Sequence, residues 1–348
     1  MENNQSNNPQ DPSNFRQFIL DFPNQFEEGF KLAKDVKVEG EFNKVVVSGM
    51  GGSALPVNLL NSYVYDYLSQ NKGKISPVII IPNRYYPLPP ESYDKCLNIL
   101  SSYSGTTEET ISCFQETLDN KLPSIGVAHA GDVEKMSLGS STPFVKLPYP
   151  FDNFQPRMGT GYFFSAFYQI LVNHGLAPDK SQEIIEGAKK LNENMSNFEE
   201  KGKALAEKIK GKTPIIYASS KFSSIAMVWK IKINENAKTP AFWNFFPELN
   251  HNEMVGHTNP QAKFIAIMLR DGQDHPRNFK RYEITAKLIN QKGIDTQILD
   301  MEEGNAFYKI FSTVLIGDFT SYYLALSYNQ DPTPVAMVED LKHILAES

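Results

Sequence analysis

Residues 97–110 read LNILSSYSGTTEET: an apolar, strand-like run breaks directly into a loop of small hydroxyl residues. Ser101, Ser102, Ser104, Thr106 and Thr107 surround one glycine, Gly105, and an amphipathic segment follows from Glu108. A strand, a hydroxyl loop and a helix start in this order make a place for an anion. Loop N–H groups, side-chain O–H groups and the positive end of the helix all point at one spot. Phosphate is the natural guest. The competing reading is a plain turn whose hydroxyls only cap backbone groups.

A second loop favours the ligand reading. Residues 44–48, KVVVS, lead into Gly49-Met50-Gly51-Gly52-Ser53-Ala54 and then an apolar segment over 55–63. Gly51 and Gly52 let backbone approach a ligand where a Cβ would collide, and Ser53 adds a hydroxyl at a helix N-terminus. Gly49, Gly51 and Ala54 also fit the G-x-G-x-x-G/A spacing of a dinucleotide fold. That fingerprint wants an acid at the end of the next strand to hold the ribose. Here Val78–Ile81 runs into Pro82-Asn83-Arg84-Tyr85, without a carboxylate, and a nicotinamide leaves the hydroxyl loop unexplained. A phosphorylated small molecule ranks above it.

Working outward, strand-like runs alternate with helical ones from Phe42 to Leu147: KVVVS, PVIII, LNILSS, SIGVA and PFVKL. The alternation predicts an α/β fold, a parallel sheet with helices on both faces and ligands at the carboxyl ends of the strands. Between 155 and 210 the pattern turns helical. From Thr213 strands return as PIIYAS, KFIAIML and DTQIL, with helices expected near Ser223–Asn234, Pro276–Gln291 and Asn305–Tyr328. The second unit begins like the first, a strand followed by Ala218-Ser219-Ser220-Lys221, which hints at an internal duplication. The expected organisation is a disordered leader and first helix (1–26), an N-terminal domain with the phosphate loops (27–175), connecting helices (176–210), a C-terminal domain (211–330) and a tail helix (331–348).

The 348 residues carry a net charge of −6, with 21% charged and 41% apolar residues. These are ordinary values for a globular protein, and no basic stripe offers itself to nucleic acid. Two cysteines, Cys96 and Cys113, make no disulfide framework or metal spacing and read as small core residues. The start, MENNQSNNPQDPSN, has neither a charged n-region nor an apolar core, so it reads as a disordered leader. No apolar run approaches the roughly 20 residues that cross a bilayer. A cytoplasmic protein without a membrane or nucleic-acid partner is expected.

Residues 232–257, KINENAKTPAFWNFFPELNHNEMVGH, interleave Glu235, Glu248, Glu253, His251 and His257 with four aromatic residues. Apolar walls beside a carboxylate raise its pKa from a reference of roughly 4.3, which suits a base that recaptures its proton. The bland reading, aromatics in the core with acids and histidines in water, is favoured on these residues alone. His251, Glu253 and His257 also form a conceivable ligand set, but without cysteine or an H-E-x-x-H helix zinc is not expected. Arg157, in Gln155-Pro156-Arg157-Met158-Gly159, is a lone cation in a turn entering an apolar helix. It reads equally as an oxyanion partner and as a surface residue. Lys342, in DPTPVAMVEDLKHIL, reads by itself as a solvated helix residue.

Taken in order, GMGGSA, SSYSGTTEET, QPRMG, INENAKTPAFWNFFPELNHNE and DPTPV…LK resemble the sugar isomerase (SIS) domain proteins, and more narrowly the bifunctional phosphoglucose/phosphomannose isomerases, from about Phe42 to the C-terminus. The resemblance implies two SIS-type domains, each a parallel sheet flanked by helices, joined by helical segments. It implies that Gly52, Ser53, Ser102, Ser104 and Thr107 hold the sugar phosphate. Its catalytic carboxylate falls on Glu235, its histidine on His251, its arginine on Arg157 and its C-terminal lysine on Lys342. It also implies a homodimer in which His251 reaches the neighbouring active site, and no metal or cofactor. The activity implied is metal-independent interconversion of glucose 6-phosphate, and of mannose 6-phosphate, with fructose 6-phosphate through a cis-enediol, a step of glycolysis and gluconeogenesis. The alternative is a non-catalytic sugar-phosphate-binding regulator on the same scaffold; an NAD(P)-dependent enzyme is a distant third.

Overall fold

The computed structural model describes residues 8–73 and 77–347. The chain divides into two units, Asp21–Asn192 and Met1–Leu20 with Glu193–Ser348. Helix α1 (Phe15–Asp21) is followed by the first unit: α2 (Asn24–Ala33), β1 (Lys44–Ser48), α3 (Gly51–Gln70), β2 (Ile79–Asn83), β3 (Cys96–Ser101), α4 (Glu108–Asp119), β4 (Ser124–Ala128), α5 (Gly131–Ser140), β5 (Phe144–Lys146), α6 (Thr160–Asn173) and α7 (Ser181–Glu193). Its five strands are parallel in the order β2-β1-β3-β4-β5. Val45–Val47 and Leu97, Ile99 and Leu100 are buried on both faces of the sheet, which is why these strands read as continuous apolar runs. Pro82 lies within β2 without breaking a ladder, because β2 is an edge strand and its missing N–H is needed by no neighbour.

From β1 the chain crosses to β2 on one side and then returns to β3 on the other, so the direction of winding reverses between β1 and β3. That reversal is the topological switch point, where the loops after adjacent strands part and leave a crevice. The glycine loop and the hydroxyl loop are the two loops that border it. Cys96 and Cys113 are buried and unpaired, as their residue type suggested.

The second unit runs α8 (Met195–Ile209), β6 (Thr213–Ser219), α9 (Ser223–Ala237), β7 (Phe242–Phe246), α10 (Glu253–Gly256), β8 (Phe264–Arg270), α11 (Pro276–Asn290), β9 (Asp295–Asp300), α12 (Ala306–Ser327) and α13 (Ala336–Glu347). Its sheet is parallel with order β7-β6-β8-β9 and reverses between β6 and β8. The passage between units falls at Asn192–Glu193; α7 lies in the first unit and α8 packs along α12 in the second.

Three expectations are corrected. Strand β7 was hidden in an aromatic stretch, FWNFF; it pairs with β6 from Ile215↔Phe242 to Ser219↔Phe246. Residues 8–14 are not a disordered leader, since Asp11 is buried and its carboxylate accepts from the amides of Phe15 (2.6 Å) and Arg16 (3.1 Å) and from the Tyr322 hydroxyl (3.1 Å). An N-terminal helix cap and a tether to α12 thus order the segment; residues 1–7 lie outside the described residues. Finally, α12 is long and apolar enough to cross a membrane by length and composition, contrary to the expectation that no apolar run reaches that length. It is instead the buried core helix of the second unit. Its charges are neutralised there: Lys232 of α9 pairs with Asp318 at 2.5 Å, and Lys309 with Asp271 at 2.6 Å.

Candidate functional site

In the first unit the two loops at the switch point are tied to one another. The Ser53 hydroxyl accepts from the Tyr103 amide at 2.9 Å, and the Ser101 hydroxyl donates to the Ser53 carbonyl at 3.1 Å. Because Ser53 accepts in the first bond, its own hydrogen is left to donate elsewhere. Ser102 is buried; its hydroxyl lies 2.8 Å from that of Thr107 and accepts from the Gly105 amide at 3.0 Å. Ser104 is exposed and pairs with Thr106 at 2.9 Å. Gly105 turns the loop with φ +72°, and a Cβ there would overlap the carbonyl of Ala130. The close approach serves α5, whose first amides, Asp132 and Val133, donate to the Gly105 carbonyl at 2.9 and 3.1 Å. The N-terminus of α5 is therefore occupied by protein. That of α4 has no side-chain cap at Thr107, so its positive end is directed at the hydroxyl loop.

Arg157 belongs to the same constellation, although it lies fifty residues beyond Thr107, the last hydroxyl of the loop. It sits in a short 3₁₀ turn, Pro156–Gly159, and is 1% exposed, so the surface reading is excluded. A Cβ on Gly52 would come 2.6 Å from the Pro156 carbonyl carbon and overlap the Arg157 backbone nitrogen. The turn is held from below by Gln25, whose amide donates to the Met158 carbonyl at 2.8 Å and accepts from the Gly161 amide at 3.0 Å. Gly52, Ser53, Ser102, Thr107 and Arg157 are thus gathered at one edge of one sheet, with Ser104 on the exposed rim.

In the second unit Glu235 lies half-buried in the last turn of α9. The adjoining face of that helix packs on α12 through Trp229, whose indole donates to the Thr313 carbonyl (2.9 Å), the Lys232–Asp318 pair, and Asn236, which donates to Ser321 (2.9 Å). These anchors at i, i+3 and i+7 fix the rotation of α9 and with it the direction of Glu235. Just beyond, Lys238 adopts the left-handed conformation that ends the helix. Its ammonium donates to the Glu235 carbonyl at 2.6 Å and to the Pro332 carbonyl at 3.3 Å. The DPTP segment is thereby fastened next to Glu235.

His251 is exposed, in a 3₁₀ turn over Glu248–His251 that follows the edge strand β7. Lys342 stands on the exposed helix α13, where it pairs with Glu339 at 2.9 Å. Neither is brought against Glu235 by a described contact. The ligand set entertained for His251, Glu253 and His257 is not assembled: among the described residues no three His, Cys, Asp or Glu side chains gather to hold a metal. Glu253 and His257 instead meet Tyr217, whose hydroxyl donates to Glu253 at 2.5 Å and lies 2.9 Å from His257 Nε2. With the phenolic hydrogen committed to Glu253, His257 must carry its proton on Nε2 and donate. Burial pushes the Tyr217 hydroxyl up and the His257 imidazole down from their ordinary values. Tyr217 was missed in the sequence because a tyrosine inside PIIYAS looks like any strand residue; only its inward position, shared with Ile215 on one face, set it apart.

A relative from Caldicellulosiruptor bescii, a bifunctional phosphoglucose/phosphomannose isomerase, is 37% identical over 345 residues, covering 94% of this chain and 98% of that one. The chain belongs to the bifunctional phosphoglucose/phosphomannose isomerase family. A second member of this family of sugar-phosphate isomerases, from Aquifex aeolicus, is 32% identical across 93% of this chain and 96% of its own length. Residues 198–345 match the bacterial phospho-glucose isomerase C-terminal SIS domain. In fold, the chain is similar to a putative phosphosugar isomerase from Clostridium difficile 630, with TM-score 0.68 at 14% identity, covering 92% of this chain and 95% of that one. That neighbour shares the two-sheet, helix-flanked fold described above.

Proposed function

We propose that this chain interconverts glucose 6-phosphate and mannose 6-phosphate with fructose 6-phosphate through a cis-enediol, without a metal. The observation that carries this reading is the gathering of Gly52, Ser53, Ser102, Thr107 and Arg157 at the first switch point, in a chain whose relatives of nearly equal length bear that activity in their names. Hydroxyls, loop amides and the uncapped end of α4 suit a phosphate dianion and orient a sugar by a group remote from the reacting carbons.

Glu235 takes the proton from C2 of the open-chain aldose and returns it at C1, one carboxylate serving both carbons. Arg157 stabilises the negative charge that grows on the substrate oxygen as that proton leaves. His251 and Lys342 open the sugar ring, one taking the proton of the anomeric hydroxyl while the other delivers a proton to the ring oxygen as its bond to the anomeric carbon breaks. His251 is assigned to the neighbouring subunit of a homodimer, a role that its exposure on a fastened turn supports. The two unpaired, buried thiols suit the reducing cytoplasm.

The test is formation of fructose 6-phosphate from each aldose phosphate by the purified protein, in buffer with excess EDTA and without it. Turnover of both substrates, unchanged by chelator, is expected. Binding without turnover would leave the sugar-phosphate regulator as the better reading, and activity abolished by EDTA would remove the metal-free step.

A further inference from the structure

His251 stands exposed between two residues that are held from different directions. On one side Asn250 donates to the Thr285 hydroxyl at 2.9 Å and accepts from Arg281 at 3.1 Å, both on α11. On the other, Glu253 accepts from Tyr217 of β6 at 2.5 Å and from the side-chain amide of Asn244 on β7. Leu249, fully buried, anchors the turn beneath. The elements that carry His251 are a four-residue 3₁₀ turn and a four-residue helix, too short to hold their shape by their own hydrogen bonds. Their position is therefore set by side-chain anchors. Tyr217 is the informative one. It lies at the centre of an apolar cluster where a phenylalanine ring would fill the same space, and its hydroxyl meets two partners, Glu253 and His257, both on the segment that follows His251. A buried hydroxyl costs desolvation unless it is bonded, and here that bonding is spent on one short exposed turn.

We propose that Glu253, gripped by Tyr217 and Asn244, is a positioning residue for His251: it holds the backbone that presents the imidazole to the sugar ring. The inference rests on the ring-opening role given to His251 above.

The experiment is a double-mutant cycle. Tyr217→Phe and Glu253→Ala are each made in the native chain and in His251→Ala, and kcat is measured on glucose 6-phosphate together with inhibition by an acyclic phosphorylated aldonate. In the native background each variant is expected to lower kcat by about 10- to 100-fold, the scale of a misplaced catalytic group. The acyclic inhibitor, which needs no ring opening, should bind as before, and Glu253→Gln, which keeps an oxygen for the Tyr217 hydroxyl, should recover part of the loss. In the His251→Ala background the same changes should alter kcat less than about twofold. Equal losses in both backgrounds, or full activity of Tyr217→Phe where His251→Ala is crippled, overturn the positioning role alone. Near-normal turnover by His251→Ala would overturn the role of His251 itself and the inference with it. Tyr217→Phe keeps the ring and its packing, so the cycle stands even where Glu253→Ala folds poorly.

Discussion

Gly52 lies against the backbone of Arg157, with no room between the glycine loop and the turn that carries the arginine for even one methyl group. Gly52→Ala is therefore expected to push the two apart, at a cost of about 1–3 kcal/mol in stability for the overpacking, and to raise KM for sugar phosphate. Gly51 supplies the contrast. A Cβ there meets nothing within 4 Å, but its φ is +47°. Gly51→Ala should cost about 1 kcal/mol of backbone strain and move KM less. Thermal unfolding and steady-state kinetics on the pair check both statements; equal KM shifts would dissociate the Gly52–Arg157 contact from binding.

Glu235→Gln should lower turnover by at least about a hundredfold while sugar-phosphate affinity stays within a few-fold, because acid–base catalysis is removed and the phosphate loops are untouched. Single-turnover kinetics beside equilibrium titration make the measurement. Near-normal turnover would exclude Glu235 as the base.

The Lys232–Asp318 pair holds α9 on α12 with both side chains 1% exposed. Lys232→Ala leaves a carboxylate buried without its counter-charge and should destabilise the protein by about 3–5 kcal/mol. Replacing both, Lys232→Met with Asp318→Leu, should recover most of that loss. Denaturant unfolding of the single and double variants is the check, and a double variant no better than the single would argue against the ionic origin of the cost.

Burial lowers the pKa of His257 from its ordinary 6.5, with Glu253 opposing the shift in part. The unfolded chain therefore takes up a proton near pH 6.5 that the folded chain still refuses. Stability is expected to fall as pH drops below that value, and to level off once the folded imidazole also protonates. Above it both forms are neutral and the residue contributes no slope. His257→Gln should flatten this acid-side loss in unfolding measured between pH 7.5 and 5; an unchanged slope would assign it to other groups.

What could be read along the chain was whatever is written locally. Strand runs such as KVVVS and LNILSS, and the glycine and hydroxyl loops after them, carry their own backbone preferences, so the parallel sheets and the edge where the two loops meet followed from residue order. Strand β7 was harder, because FWNFF is an edge strand whose aromatic residues suit a wall equally well. The N-terminal stretch misled because its polar composition says nothing of Asp11 finding Tyr322 more than three hundred residues away. By itself the sequence determined two α/β units and offered loops whose chemistry suits an anion, since side-chain chemistry and strand periodicity are properties of short segments. Only the tertiary structure decided that Arg157 is buried beside Gly52 and that Tyr217 grips the turn of His251. Those contacts join residues distant in the chain, and the packing that selects them exists only once the sheets have formed.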